Sequence, residues 1–405
     1  MSEHHVIIGG GQAGGQAAQT LRQAAPAARV TLLAAEPEPP DHRPPLSKKY
    51  LAGALPRERL LLRPQSFYAE KAIALEQGAS AVEIDRAAQR VTLADGRTLP
   101  YDRLLLATGG RARALRVPGA TLPGVHYLRT VADVDRIRAA LEGRRRVVLI
   151  GAGYIGLEAA AVLITLGHDV TVLEAAERPL ARVVCAEVAR FYHDYHTQAG
   201  VRLVYGTAVT EILGGDRASE VVAADGRRYP CDLAIVGIGI EPNVELAAAA
   251  GLACDNGIVV DRCARTEDAA VFAAGDCANQ PDLEGTRRVR LESVPNAVHQ
   301  AKVAAQGMLG TPTPYAEVPW FWSDQYDLKL QIAGLSAGYE EVVLRGDPAA
   351  KSFAAYYLSG GRIVAVDAVN SPRDFLAAKK LIAAGVSIAP SVLADPATDL
   401  AALGG

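Results

Sequence analysis

Two glycine clusters and two glutamates carry most of the chemistry legible in this chain. Gly9-x-Gly11-x-x-Gly14 follows the apolar run Val6-Ile7-Ile8 and opens an alanine-rich helical stretch reaching about Gln23. In such a turn the first glycine allows the tight bend, the second lets the backbone approach a pyrophosphate, and the third lets helix pack on strand. The helix start adds free N–H groups and the positive end of its dipole. A second apolar run, Val30-Thr31-Leu32-Leu33, ends at Glu36, 22 residues beyond Gly14. A carboxylate placed there can accept both hydroxyls of an adenosine ribose. The pattern returns as Gly151-x-Gly153-Tyr154-Ile155-Gly156 between Val147–Ile150 and the run Val170–Leu173, which leads to Glu174. Glu174 favours a free ribose 2′-hydroxyl and repels a 2′-phosphate. A single base, Arg178, follows it where a phosphate-reading site shows a cluster, so NADH is expected over NADPH.

The elements that must position these groups repeat as well. Each βαβ unit is followed by an Asp-Gly hairpin signal, Asp95-Gly96 or Asp225-Gly226. Each hairpin leads into an apolar strand ending near glycine: Leu104-Leu105-Leu106 before Gly109, and Ala234-Ile235-Val236 before Gly237. Two copies of one nucleotide-binding design point to two bound nucleotides. Val271-Phe272-Ala273-Ala274-Gly275-Asp276 is a further strand ending in Gly-Asp. Such an end can bind a ribityl hydroxyl, although Gly-Asp by itself is a common turn. From about Pro319 the pattern changes to clustered aromatics, Trp320-Phe321-Trp322, strand-like segments such as 329–333, and a helix expected from Arg373 to about Ala384. The expected fold is α/β: two Rossmann-like domains plus a C-terminal α+β domain, with 1–110 and 238–315 binding one nucleotide, 111–237 the other, and 316–405 forming the third domain.

Composition narrows the function classes. A net charge of −3 argues against a protein built to coat nucleic acid. No run of about 18 apolar residues is present, so nothing is expected to span a membrane. The five cysteines, Cys185, Cys231, Cys254, Cys263 and Cys277, form no CxxC pair, and their spacings suit neither zinc nor an iron–sulfur cluster. No metal site is expected. An odd cysteine count in a long chain without an evident signal peptide suggests a reducing cytoplasm.

With these motifs in place, the whole chain resembles the FAD-dependent ferredoxin reductases of the putidaredoxin reductase and aromatic-ring dioxygenase reductase type, which have a glutathione-reductase-like fold. The resemblance rests on Arg43-Pro44-Pro45-Leu46-Ser47-Lys48, Ala107-Thr108-Gly109-Gly110, the stretch Gly151 to Glu158, Gly275-Asp276, and Pro319-Trp320-Phe321-Trp322-Ser323-Asp324-Gln325. It implies that Gly9, Gly11, Gly14, Glu36, Arg43, Lys48, Ala107, Thr108, Gly109 and Asp276 hold FAD. It implies equally that Gly151, Gly153, Tyr154, Ile155, Gly156, Glu174 and Gly239 serve NADH. Lys48 would lie near the flavin ring, paired with Glu158; an ammonium there stabilises charge that develops on reduction, and the carboxylate offsets its burial. The segment Glu292–Ala297 resembles a helix start whose N–H groups, around Val294, face the flavin pyrimidine. Trp322 would lie beside the flavin and form part of an electron exit.

A related branch of this fold carries a redox cysteine in the stretch 41–51; here that stretch has none. Thiol chemistry is therefore not expected, and reduced flavin must pass its electrons outward. The expected mechanism is hydride transfer from NADH to flavin N5, then single-electron transfer to a separate [2Fe-2S] ferredoxin serving a cytochrome P450 or a ring-hydroxylating dioxygenase. Arg287, Arg288, Arg290, Lys379 and Lys380 are candidates for a basic docking face. A monomer is expected, because this chain has no dithiol site to share. Two other readings stand beside this one: a different flavin reductase of rubredoxin, monodehydroascorbate or nitrite reductase type, and a redox-controlled binding protein resembling apoptosis-inducing factor.

Overall fold

The computed structural model describes residues Ser2–Gly404. The chain divides into two compact units. One comprises the residues up to Arg43, Pro56–Arg111 and Glu241–Pro319; the other comprises Pro44–Leu55, Ala112–Ile240 and the residues from Trp320 onward.

The first unit is built on a five-stranded parallel sheet in the order Val271–Ala273, Arg103–Leu106, His4–Ile8, Arg29–Ala34, Ile73–Gln77. Alternation along each strand supplies two apolar faces. Ile7, Leu32, Leu105 and Phe272 point to one side and pack against Ala17, Ala18 and Leu21 of the helix Gln12–Ala24 and against Ala301, Ala304 and Ala305 of the helix Val294–Met308. Val6, Ile8, Leu33, Leu104 and Leu106 point to the other side, against Val91, Leu93 and Tyr101 of a small meander. The meander pairs Ala81–Asp85, Arg90–Leu93 and Thr98–Pro100 antiparallel, with Asp95-Gly96 turning between the last two. Alanine-rich helix faces let the two helices approach each other and the sheet closely.

The second unit repeats this design. Its parallel sheet runs Arg202–Val204, Asp169–Leu173, Arg146–Ile150, Leu233–Val236, Val125–Tyr127. The meander Val209–Gly214, Ala218–Ala223, Arg228–Pro230 turns at Asp225-Gly226. A five-stranded antiparallel sheet completes the unit, in the order Trp320–Gln325, Leu328–Gly334, Arg362–Val369, Ser352–Ser359, Glu341–Asp347. The helix Pro372–Ala384 packs on that sheet and ends at Gly385, which takes the left-handed conformation that caps a helix.

One carboxyl lies in the core of the antiparallel sheet. Asp367 is 1% exposed and accepts a hydrogen bond from the Tyr357 hydroxyl, which in turn accepts from the Cys185 N–H at 2.7 Å. Burial pushes Asp367 up to about 7. The folded state therefore keeps a proton that the unfolded chain releases near pH 4, and the associated stability is lost as pH rises from about 4 to 7. Asp367→Asn should remove this loss. Between pH 5 and pH 8 the wild-type protein is expected to lose about 2–3 kcal/mol more than the variant. Urea denaturation at the two pH values checks it; parallel pH dependences would contradict it.

Candidate functional site

Both glycine fingerprints form the same strand–turn–helix. In the first, Gly9 has φ +122°, and a methyl carbon on it would lie 2.0 Å from the Ala107 carbonyl oxygen. A methyl on Gly14 would lie 1.9 Å from the Gly9 carbonyl oxygen. In the second, a methyl on Gly151 would meet the Gly237 oxygen at 2.4 Å, and one on Gly156 the Gly151 oxygen at 2.1 Å. The outer glycines thus bring turn, returning strand and helix into backbone contact. The middle glycines differ: nothing lies within 4 Å of a methyl built on Gly11 or Gly153. Each middle glycine caps its helix, and neither helix receives a side-chain cap or an acidic residue in its first turn. Their leading N–H groups suit an anion.

These cradles fit two dinucleotides. Beside the first, the buried Gln12 side-chain oxygen has no hydrogen-bond partner, and beside the second the buried Tyr154 hydroxyl has none. Burial raises the Tyr154 phenol well above its ordinary range, so it stays protonated. Its ring packs 4.7 Å from that of Phe321, while neighbouring Ile155 is 38% exposed, an apolar face open at the cradle.

The two glutamates are held differently. Glu36 accepts from Arg43 Nη2 at 2.5 Å, and Arg43 Nε lies 3.2 Å from Asp41 Oδ1. Burial pushes Asp41 up to about 6 against the opposing pull of Arg43. Glu174 instead accepts two backbone N–H groups, from Ala152 at 2.6 Å and Ala176 at 2.8 Å. The carboxylate is thereby fixed at the rim of its own fingerprint, with lone pairs left for a ribose. Arg178 turns away: its guanidinium donates to the carbonyls of Ala181, Val184 and Cys185. Gly239, with φ +99°, accepts from the Arg113 N–H at 2.9 Å.

Elsewhere in the first unit, Ala107, Thr108 and Gly109 form the end of the returning strand. Asn243, which motif reasoning does not single out, clamps them: its N–H donates to Gly109 O, its side-chain amide donates to Thr108 O at 2.9 Å, and its carbonyl accepts from the Thr108 hydroxyl at 2.7 Å. Gly275 has φ +85°, and its N–H donates to the Gln300 side chain at 2.8 Å. Asp276 is half-buried, with its main-chain oxygen accepting from Arg290 at 3.1 Å. At the helix Val294–Met308 the Ser293 side chain already accepts from the Asn296 N–H, and Pro295 has none. Of the expected N–H cluster, the Val294 N–H is the one its own helix start leaves for a ligand.

In the second unit Lys48 and Glu158 come together, Nζ to Oε2 at 2.7 Å. Glu158, 3% exposed, also accepts from the Ser47 hydroxyl at 2.5 Å and, through Oε1, from the Ser323 hydroxyl at 2.6 Å. Lys48 donates further to the Pro44 carbonyl at 3.1 Å. Ser47, Ser323 and Gln325 are the contributors that sequence reasoning passes over. The available signal is the alternation in Trp320–Gln325, which turns Ser323 and Gln325 inward. Trp322 is half-buried, its ring 5.7 Å from that of Trp320.

The proposed docking bases fare unequally. Arg288 donates to the carbonyls of Val260 and Asn279, and Arg290 pairs with Glu292 at 2.7 Å, so both are engaged within their own unit. Arg287 lies 3.3 Å from Asp282, and the Lys379 ammonium sits 5.5 Å from the Trp320 ring centroid. All five cysteines are free, and burial raises every thiol above its usual range, so none is an activated thiolate. Among the described residues no group of three or more His, Cys, Asp or Glu could hold a metal, and no helix is long and apolar enough to cross a membrane.

Two pyrophosphate cradles without a reactive thiol define a two-nucleotide oxidoreductase. The comparisons agree. Residues 3–301 match the family of pyridine nucleotide-disulphide oxidoreductases, and residues 320–404 match the reductase C-terminal domain. The anthranilate 1,2-dioxygenase system ferredoxin–NAD(+) reductase component of Burkholderia cepacia is 44% identical, over 98% of each chain. The crystal structure of the ferredoxin reductase for the CYP199A2 system of Rhodopseudomonas palustris superposes with a TM-score of 0.97, at 43% identity over 100% of both chains. That of the covalent putidaredoxin reductase–putidaredoxin complex gives 0.95, at 42% identity, over 98% of this chain and 97% of the other. The chain belongs to the pyridine nucleotide-disulphide oxidoreductases and, within them, to the FAD-containing, NADH-using ferredoxin reductases of the putidaredoxin reductase type.

The burial of Glu158 makes its ion pair testable. Glu158→Leu alone leaves the Lys48 ammonium without its carboxylate and should cost roughly 3 kcal/mol. Adding Lys48→Met should recover part of the loss. A double variant no more stable than Glu158→Leu, measured by thermal unfolding of the purified protein, would count against the pairing.

Proposed function

We propose that this chain takes hydride from NADH onto FAD and passes the electrons singly to a separate small [2Fe-2S] ferredoxin, which serves a cytochrome P450 or a ring-hydroxylating dioxygenase. The observation that carries this reading is the pair of nucleotide cradles in a chain whose five thiols are all raised and unbridged. Electrons entering from NADH have no internal disulfide to reduce. FAD supplies the conversion of a two-electron donor into one-electron steps.

The residues divide the work. Residues 1–110 and 238–315 are assigned to FAD, with Gly9, Gly11, Gly14, Glu36, Arg43, the clamped turn Ala107–Gly109, Asp276 and the Val294 N–H as its contacts. Residues 111–237 are assigned to NADH, through Gly151, Gly153, Tyr154, Ile155, Gly156, Glu174 and Gly239. Residues 316–405 form the third domain. Lys48, held by Glu158, is assigned to the flavin ring by the family resemblance, where its charge favours the reduced, more anionic state. Trp322 is assigned to the electron exit on the same ground. Lys380, exposed on the helix Pro372–Ala384, is the better of the candidate docking bases, since Arg287, Arg288 and Arg290 are each bound to groups of their own unit. The protein is proposed to work as a cytoplasmic monomer.

Anaerobic stopped-flow mixing tests the proposal. NADH should bleach the bound flavin faster than NADPH does, and an oxidised [2Fe-2S] ferredoxin should restore its colour. Purified protein without flavin would overturn the reading; bleaching with no transfer to any ferredoxin would move it to another electron acceptor. Glu174→Gln keeps an acceptor but removes the charge. It should raise KM for NADH about tenfold and narrow the preference over NADPH. Unchanged KM would remove Glu174 from the site.

A further inference from the structure

Glu158 is also the end of a chain of hydrogen bonds that the reaction as described does not use. Its Oε1 accepts from the Ser323 hydroxyl at 2.6 Å. The Ser323 oxygen accepts from the Gln325 amide at 3.1 Å. The Gln325 carbonyl oxygen lies 2.8 Å from His196 Nε2, and the Tyr326 hydroxyl lies 3.0 Å from His196 Nδ1. Ser323, Gln325 and His196 are each at most 1% exposed.

The chemistry of each group fixes the direction. An amide oxygen only accepts, so His196 must carry its proton on Nε2. Burial lowers His196 to about 4, so at neutral pH Nδ1 is bare and accepts from Tyr326. Every donor therefore points the same way, from Tyr326 through His196, Gln325 and Ser323 to Glu158. Aligned donors polarise one another, and the whole series adds to the field at one carboxylate oxygen.

Two features separate this chain from ordinary core packing. Apolar side chains of similar volume would fill such an interior at least as stably as a polar string. Tyr326, moreover, sits in the hairpin between Trp320–Gln325 and Leu328–Gly334 with φ +56°, a left-handed conformation that a non-glycine residue rarely adopts. That conformation accompanies a hydroxyl delivered to His196 Nδ1.

We infer that Ser323, Gln325, His196 and Tyr326 are positioning residues for the Lys48–Glu158 pair: together they hold the Glu158 carboxylate in the orientation that presents the Lys48 ammonium to the cofactor. The inference rests on the proposed placement of Lys48 at the flavin. It predicts that His196, three hydrogen bonds removed from Glu158, tunes the flavin.

The test uses the FAD-loaded protein and spectroelectrochemical measurement of the flavin midpoint potential. His196→Phe removes the donor to Gln325 and should shift the potential negative. The flavin-reduction rate at saturating NADH should fall about 2- to 10-fold, the worth of one hydrogen bond, with KM for NADH unchanged. His196→Gln, whose side-chain amide can place an N–H donor where Nε2 donates to Gln325, should restore part of both. Gln325→Leu should act as His196→Phe does, and supplies the same reading if that variant folds poorly. In a Glu158→Gln background, His196→Phe should produce no further shift. A lowered Tm with an unchanged potential would overturn the inference by showing a structural role only. A potential that responds to Glu158→Gln but not to the other variants would defeat the chain while leaving Lys48 at the flavin. A potential indifferent to Glu158→Gln itself would defeat the placement of Lys48.

Discussion

A carboxylate removed from water must be surrounded by donors or lose its charge, and in the second unit that requirement falls on Glu158. The donors come from two separate stretches of chain, Ser47 and Lys48 from the segment 44–55 and Ser323 from the strand Trp320–Gln325, and they meet on Glu158, which a third stretch, the helix that begins at the second fingerprint, supplies as acceptor. Satisfying one side chain thus ties an early segment to the nucleotide-binding fold and to the antiparallel sheet. It also explains why residues 44–55 belong to the second compact unit although both flanking segments belong to the first. The same constraint holds the Lys48 ammonium in a single place, as a group meant to act on developing charge must be held.

The nucleotide cradles illustrate a second economy. Close approach of backbone to backbone is obtained twice from the same outer glycines, while the middle glycine of each fingerprint faces open space. The copies diverge where they need different ligands. Glu36 is tethered by an arginine, Glu174 by two main-chain N–H groups, and the returning strand of the first copy carries the additional Asn243 clamp. A repeated frame thereby supplies two sites that can be tuned separately.

Much of this was legible in the sequence because it is written in local signals. The fingerprints, the acids that follow them, both Asp-Gly turns and the helix expected from Arg373 all depend on neighbours within a few residues. The actual helix, Pro372–Ala384, starts one position earlier because Pro372 suits a first helical turn. What escaped depends on long-range pairing. Asn243 meets Thr108 across 135 positions, and His196 meets Gln325 across 129. Alternation along Trp320–Gln325 marks Gln325 as inward-facing, but nothing local says that His196 is what it meets there. The partners of Arg288 and Arg290 escaped for the same reason: a run of bases reads as a surface patch until the carbonyl and carboxylate groups that engage it are placed.

The central claim is that each glycine fingerprint holds its own dinucleotide. Native mass spectrometry of the purified protein, with and without added NAD+, tests it most directly on two variants, Gly11→Glu and Gly153→Glu. A Cβ at either position meets no protein atom within 4 Å, so the fold should persist while the new carboxylate occupies the place of a pyrophosphate. The account predicts that Gly11→Glu loses FAD and that Gly153→Glu retains one FAD per chain but no longer gains NAD+. Loss of FAD from Gly153→Glu, or no change in either variant, would contradict it.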